Sequence, residues 1–196
     1  MPFYMHYKHA ALRLNLAVAY KGLGTLCAVS MALTAAVKLD PRCWVCFAAL
    51  LLHTVADVLL EFNLYAGAGL FLAGHICYIA FFTNLFPVTS VHFIVAVGLI
   101  AVAAVIFWRW RKNIGKQMPM FAVYAVTLVV MCSCAIGGLT AGTLQGQLIA
   151  AGGALFLISD SLLLKRLLFP CGRSVDWAII FLYYIAQLLF GYACLI

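Results

Sequence analysis

Apolar residues run through this chain in long blocks, without the alternation of a strand or the polar face of a surface helix. Seven blocks, A to G, are predicted as helices: Leu14–Val37, Cys43–Phe62, Gly67–Phe82, Ser90–Trp110, Pro119–Gly137, Thr143–Leu168 and Val175–Leu195. Breaks between them are signalled by Asp40-Pro41, Asn84 to Pro87, the basic Arg109–Lys116 stretch, Gly137-Gly138 with Gly142, and Pro170 to Gly172. Each block approaches the length a helix needs to cross a bilayer. The expected architecture is all-α, a polytopic transmembrane helix bundle in one domain, 1–196, with residues 1–13 at the interface.

Composition strengthens this reading. The chain of 196 residues is 67% hydrophobic and 9% charged, against roughly 25% charged in a soluble domain. In lipid the backbone must satisfy its own hydrogen bonds, and unalternating apolar runs select helices over a barrel. The formal charge of +7 does not point to nucleic acid, because the basic residues sit in short loops rather than along a groove. With seven spans, one side receives Lys8, Arg13, Lys21, Arg109, Arg111, Lys112, Lys116, Lys165, Arg166 and Arg173, and the other receives Lys38 and Arg42. The positive-inside rule then places the N-terminus in the cytosol, and the compact chain suggests a bacterial inner membrane. No small-residue cleavage site follows a short apolar run, so the first span is expected to act as its own signal. The eight cysteines, including Cys43-x-x-Cys46 and Cys132-x-Cys134, lie in or beside spans and read as small apolar fillers, not as a zinc or redox centre.

Two of the five acidic residues stand inside apolar blocks: Asp57 in B and Asp160 in F. A carboxylate at bilayer depth costs about 2.5–3.5 kcal/mol on insertion scales, which makes each a candidate functional group. B and F run in the same direction, so the two lie at similar depth. The segments Ala56-Asp57-Val-Leu-Leu60 and Ser159-Asp160-Ser-Leu-Leu163 resemble one another, and each precedes an aromatic helix. This suggests a 3+1+3 layout of parallel halves with D as linker, and a central pocket uniting the aspartates. Paired carboxylates in a low dielectric share a proton and supply a general acid beside a general base. His53 and Glu61 flank Asp57 by one turn each on the same stripe. Lys21 in A lies near the aspartates' depth, suited to a carboxylate or a lipid phosphate. His75 and Tyr78 share a face of C; Tyr183, Tyr184 and Gln187 offer polar groups in G. No second histidine follows His75 at one turn, so neither metal nor cofactor is expected. Nucleotide loops and serine-hydrolase elbows are absent from the sequence.

These motifs resemble those of the YhhN-like lysoplasmalogenase family. The Asp57 run is similar to its G-D-x-L-L helix, with Ala56 where the glycine stands. Gly67, Phe71, His75 and Tyr78 are similar to G-x-x-x-F-x-x-x-H-x-x-Y. Gly153 to Asp160 resembles G-A-x-x-F-x-x-S-D, and Tyr183 to Gln187 resembles Y-Y-x-A-Q. Lys21-Gly22-Leu23 stands where the family has Lys-Pro-Leu, and its first helix has no clear equivalent, so the count is seven, or eight with a short N-terminal piece. The resemblance implies an intramembrane hydrolase of the vinyl-ether bond of lysoplasmalogens, yielding a fatty aldehyde and a glycerophospho-amine. It implies Asp57 and Asp160 as catalytic residues and His75, Tyr78, Ser159 and Tyr183 as pocket residues; Lys21 and Gln187, from their own placement, complete the expected contacts to the lysophospholipid substrate. The residues alone also fit a small-solute transporter or a lipid-binding membrane protein.

Overall fold

Residues that break the apolar pattern become helix caps. Asp40 accepts from the Arg42 backbone N–H and from its Nε, both at 2.8 Å, and turns the chain into the second helix. The Asn63 side chain accepts from the N–H groups of Tyr65 (2.9 Å) and Ala66 (3.1 Å), satisfying two otherwise orphaned donors of the third. The Thr89 N–H donates to His92 Nδ1 at 3.1 Å, so a histidine closes the box that Glu or Gln ordinarily closes. Thr143 accepts from the Gly146 N–H at 3.1 Å.

The structure, a computed structural model, describes the backbone from residue 11 and side chains from residue 24. The interfacial stretch expected before residue 11 and the Lys21 side chain lie outside the described residues. The α-helices are α1 (Ala11–Lys38), α2 (Cys43–Leu59), α3 (Leu64–Leu85), α4 (Ser90–Ile114), α5 (Met118–Gly137), α6 (Leu144–Leu168) and α7 (Arg173–Ala193), and the described residues contain no strand. Of the expected break at Arg109–Lys116, Arg109 to Ile114 are helical, and the break falls at Gly115, whose φ of 57° ends α4. The 3-10 turn Gly115–Gln117 joins α4 to α5, and a second, Gly138–Ala141, extends α5, giving one run, Ser90–Ala141. The described chain therefore forms six continuous helical stretches rather than seven separate ones. Of these, Leu64–Leu85, Ser90–Ala141, Leu144–Leu168 and Arg173–Ala193 are long and apolar enough to cross a membrane.

Neighbour relations describe a ring. α1 packs on α2, α2 on α3, α3 on α5, α5 on α6, α6 on α7, and α7 back on α1; α2 and α7 also touch, and α4 lies outside against α5. Because lipid tails are as apolar as leucine, such a ring is held by close packing of small residues. Ala28, Ala32, Ala35 and Ala36 supply that face on α1 and are buried. A Cβ on Gly191 would stand 2.7 Å from the Ala28 carbonyl oxygen, so glycine permits the α1–α7 approach. Inside the ring lie the aromatic side chains of Phe71, Tyr78, Phe81, Phe82, Phe156 and Phe190.

Candidate functional site

The site grows from two helical stripes facing each other. On α2, His53 and Asp57 are one turn apart; on α7, Tyr183 and Gln187 are likewise. The helices run antiparallel, so Asp57 meets Tyr183 and His53 meets Gln187. Tyr183 donates its hydroxyl to Asp57 Oδ2 at 3.0 Å. Gln187 Nε2 lies 2.7 Å from His53 Nδ1, and Tyr78 on α3 donates to Gln187 Oε1 at 2.5 Å. With the amide oxygen engaged by Tyr78, its nitrogen faces His53, so Nδ1 accepts and the ring proton sits on Nε2. That nitrogen is 3.3 Å from the Phe71 carbonyl. Asp57 is 5% exposed, and His53, Tyr78 and Gln187 are fully buried.

This contact is possible because α3 carries Gly74 where it passes α2. A Cβ there would stand 2.2 Å from His53 Cδ2 and 2.4 Å from Nε2. His75 follows, with its ring edge-on to His53 (5.2 Å), Tyr124 (5.2 Å) and Phe156 (5.2 Å). Both of its ring nitrogens are buried without a hydrogen-bond partner among the described residues. Leaving a buried polar atom unmatched costs about 1–3 kcal/mol; aromatic faces across T-shaped contacts offset only part of that.

The second aspartate has a partner of its own. Tyr124 on α5 donates to Asp160 Oδ2 at 2.6 Å. Nothing in the family-like motifs marked Tyr124; its one signal was a tyrosine in an otherwise apolar run, Phe121 to Ala125. Asp160 and Tyr124 lie on the wall of an apolar groove of about 180 Å³. Its other walls come from α3 (Ala68, Phe71), α4 (Leu99, Val102, Ile106) and α6 (Leu157, Leu164). Arg109, Arg111, Lys165 and Arg166 flank the end where Trp110 and Leu167 line it.

The expected central pocket uniting both carboxylates takes a different form. Each aspartate has a separate tyrosine. Asp160 and Phe71 belong to the groove wall, while Asp57 is held by Tyr183, whose ring is 6.0 Å from that of Phe71. Tyr78, Gln187 and Tyr183 are engaged within the bundle. The Ser159 hydroxyl donates to the Ile179 carbonyl at 2.9 Å, tying α6 to α7. His75 is the expected site residue whose polar atoms remain unmatched. Glu61 lies in the turn after α2, partly buried. Among the described residues no His, Cys, Asp and Glu groups converge as a metal site.

No curated protein and no solved structure matches the chain. The sequence profile of the YhhN family matches residues 16–193, which takes in every helix that builds the site. The chain belongs to the YhhN family.

Proposed function

We propose that this protein is an intramembrane hydrolase that opens the vinyl-ether bond of lysoplasmalogens, releasing a fatty aldehyde and a glycerophospho-amine. The observation that carries the reading is the Asp160–Tyr124 pair on the wall of an alkyl-lined groove. A single hydrocarbon chain suits such walls, and a lone carboxyl group beside it is chemistry, not packing.

Vinyl-ether hydrolysis begins with slow protonation of the β-carbon, which leaves an oxocarbenium ion. Tyr124 fixes one oxygen of Asp160 by hydrogen bonding, leaving the other to deliver the proton to carbon. The carboxylate then faces the cation and stabilises it. Water adds to the cation and gives up a proton, and the hemiacetal collapses to aldehyde and alcohol. Asp57 is the second carboxylate of the cycle, reached when the substrate displaces Phe71, and it accepts the proton released by water. Ser159, His75, Tyr78, Tyr183 and Gln187 hold the walls between the two. Lys21 and the basic end of the groove take the headgroup phosphate. That end lies in the cytosol, with the N-terminus, and the α4–α5 run crosses the bilayer twice to give seven crossings.

The test follows aldehyde release from a lysoplasmalogen by purified protein in detergent. Asp160→Asn and Asp57→Asn each reduce turnover by about a thousandfold or more, roughly 4 kcal/mol in the barrier. Wild-type turnover in either variant removes that aspartate from the mechanism. Mass spectrometry of products from a panel of lysolipid ethers, esters and amides identifies the bond cleaved; an intact vinyl ether with another lipid consumed overturns the substrate.

A further inference from the structure

The α2–α7 seam that carries the site continues away from it. Asp57 pairs with Tyr183 and His53 with Gln187, so four residues down α2 correspond to four residues up α7. The next steps bring fully buried Leu50 level with fully buried Phe190, and then Cys46 level with Cys194. Hydrogen bonds agree with this register. Cys46 Sγ lies 3.9 Å from the Phe190 carbonyl oxygen, and Cys194 Sγ lies 3.4 Å from that same oxygen. Cys43, one turn earlier on α2, places its Sγ 3.8 Å from the Cys194 carbonyl. Three buried cysteines thus share the place where α2 begins and α7 ends, Cys46 and Cys194 on one carbonyl and Cys43 on the next turn. A chance filler role accounts for one small sulfur in a seam but gives no reason for three to converge.

The location adds chemistry. This end of the bundle holds the α1–α2 turn, where Arg42 reaches the Asn84 carbonyl at the end of α3 (3.4 Å). The basic residues Arg109, Arg111, Lys112, Lys165, Arg166 and Arg173 all stand at the opposite end. By the positive-inside rule the three thiols, buried in the folded bundle, lie toward its non-cytosolic end, and that compartment is oxidising in bacteria and in secretory membranes alike. This step rests on the sidedness given under the proposed function.

We infer that Cys46 and Cys194 are a disulfide-forming pair that clamps α2 to α7 on the non-cytosolic side, with Cys43 as the neighbouring thiol. The oxidant is a protein or small-molecule disulfide of that compartment. Before α7 seats against α2 and buries the pair, Cys194, at the end of its helix, attacks one sulfur of that disulfide and releases a thiol. Cys46 then attacks the mixed disulfide and releases the second. Two cysteine thiols become one disulfide, and the oxidant leaves as two thiols, carrying the two protons and two electrons.

The experiment quenches cells in acid, blocks all free thiols with maleimide in denaturant, reduces, and labels newly freed thiols with a heavier maleimide before mass mapping of the full-length protein. The expected result is heavy label on Cys46 and Cys194 alone. Cys43→Ser keeps that pair, whereas Cys46→Ser removes heavy label from Cys46 and lowers its yield at Cys194. Light label on all eight cysteines overturns the bond, as does a pair that survives in Cys46→Ser but is lost in Cys43→Ser. In parallel, a Val88→Cys variant is treated in intact cells with a membrane-impermeant maleimide. Labelling from outside with Cys46 and Cys194 still light refutes the disulfide while leaving the sidedness standing. Failure of Val88→Cys to label, while a cytosolic-end cysteine such as Lys116→Cys labels, refutes the sidedness and with it the reason for the clamp.

Discussion

Gly74 is where the geometry makes its sharpest quantitative demand. Replacing it with alanine puts a methyl group 2.2 Å and 2.4 Å from two ring atoms of His53. That ring is held by Gln187 and the Phe71 carbonyl, and by rings of Phe71 (4.8 Å), His75 (5.2 Å), Tyr78 (5.2 Å) and Phe156 (5.4 Å). It has no free direction in which to move. Overpacking costs about 1–3 kcal/mol, and displacing His53 weakens two buried hydrogen bonds at about 1 kcal/mol each. The helix propensity gained from Gly→Ala returns about 0.5–1 kcal/mol. The net expectation is a loss of about 2–4 kcal/mol. Gly69, on the same helix, is the internal control: a Cβ there meets nothing within 4 Å, so Gly69→Ala is neutral or slightly stabilising. Thermal unfolding in detergent, followed by tryptophan fluorescence, compares the two. A double-mutant cycle then isolates the cause. In a His53→Ala background the extra methyl has room, and the Gly74→Ala penalty shrinks toward that of Gly69→Ala. Equal midpoints for the two alanine variants, or an undiminished Gly74→Ala penalty without the histidine ring, would refute the proposed α2–α3 packing.

Three further outcomes are expected. Tyr124→Phe removes the 2.6 Å bond to Asp160 and lowers kcat about 10–100-fold, about 1.4–2.8 kcal/mol, with KM nearly unchanged; a change confined to KM contradicts a role in the chemical step. Asp176→Asn breaks the 2.7 Å pair with Arg166, and because Asp176 is buried while Arg166 is about a quarter exposed, the loss is about 1.5–3 kcal/mol in unfolding rather than the full cost of a sealed pair. Asp40 lies in the α1–α2 turn, where the hydrogen bond from the Arg42 side chain, followed by that from its backbone, holds the carboxyl below its ordinary value near 3.8. A lowered carboxyl value stabilises the fold above the ordinary value, and that contribution is lost as pH falls through the folded one; Asp40→Asn therefore lowers the unfolding midpoint slightly at neutral pH and converges on wild type in strong acid.

The fold was legible where local chemistry decides it. Apolar runs without alternation gave helices, and Asp40, Asn63, Thr89 and Thr143 marked or adjoined their starts. The boundary at Arg109–Lys116 was misread because a run of charge looks like a loop, whereas Arg and Lys are good helix formers and carry α4 onward to Gly115. Asp57 and Asp160 stood out because their insertion cost is local and large. Their partners did not, since which tyrosine each meets depends on helix register. Tyr183 was named among the candidates, yet Tyr124 was one tyrosine in an otherwise apolar run. The groove was invisible for a different reason. Its walls are ordinary leucine, valine and phenylalanine, and only the position of α4 outside the ring makes a space between them.

That position separates two properties which most enzymes must trade against each other. The six helices around the aromatic core hold the fold, and α4 rests against α5 with its far end pinned by Trp110 on Phe169 at 5.3 Å. Leu99, Val102, Ala103 and Ile106 can therefore change size and alter the width and length of the groove without disturbing a contact the bundle needs. Under the proposed function, chain-length preference would be set along this one helix while the carboxylates and the α2–α7 seam stay as they are.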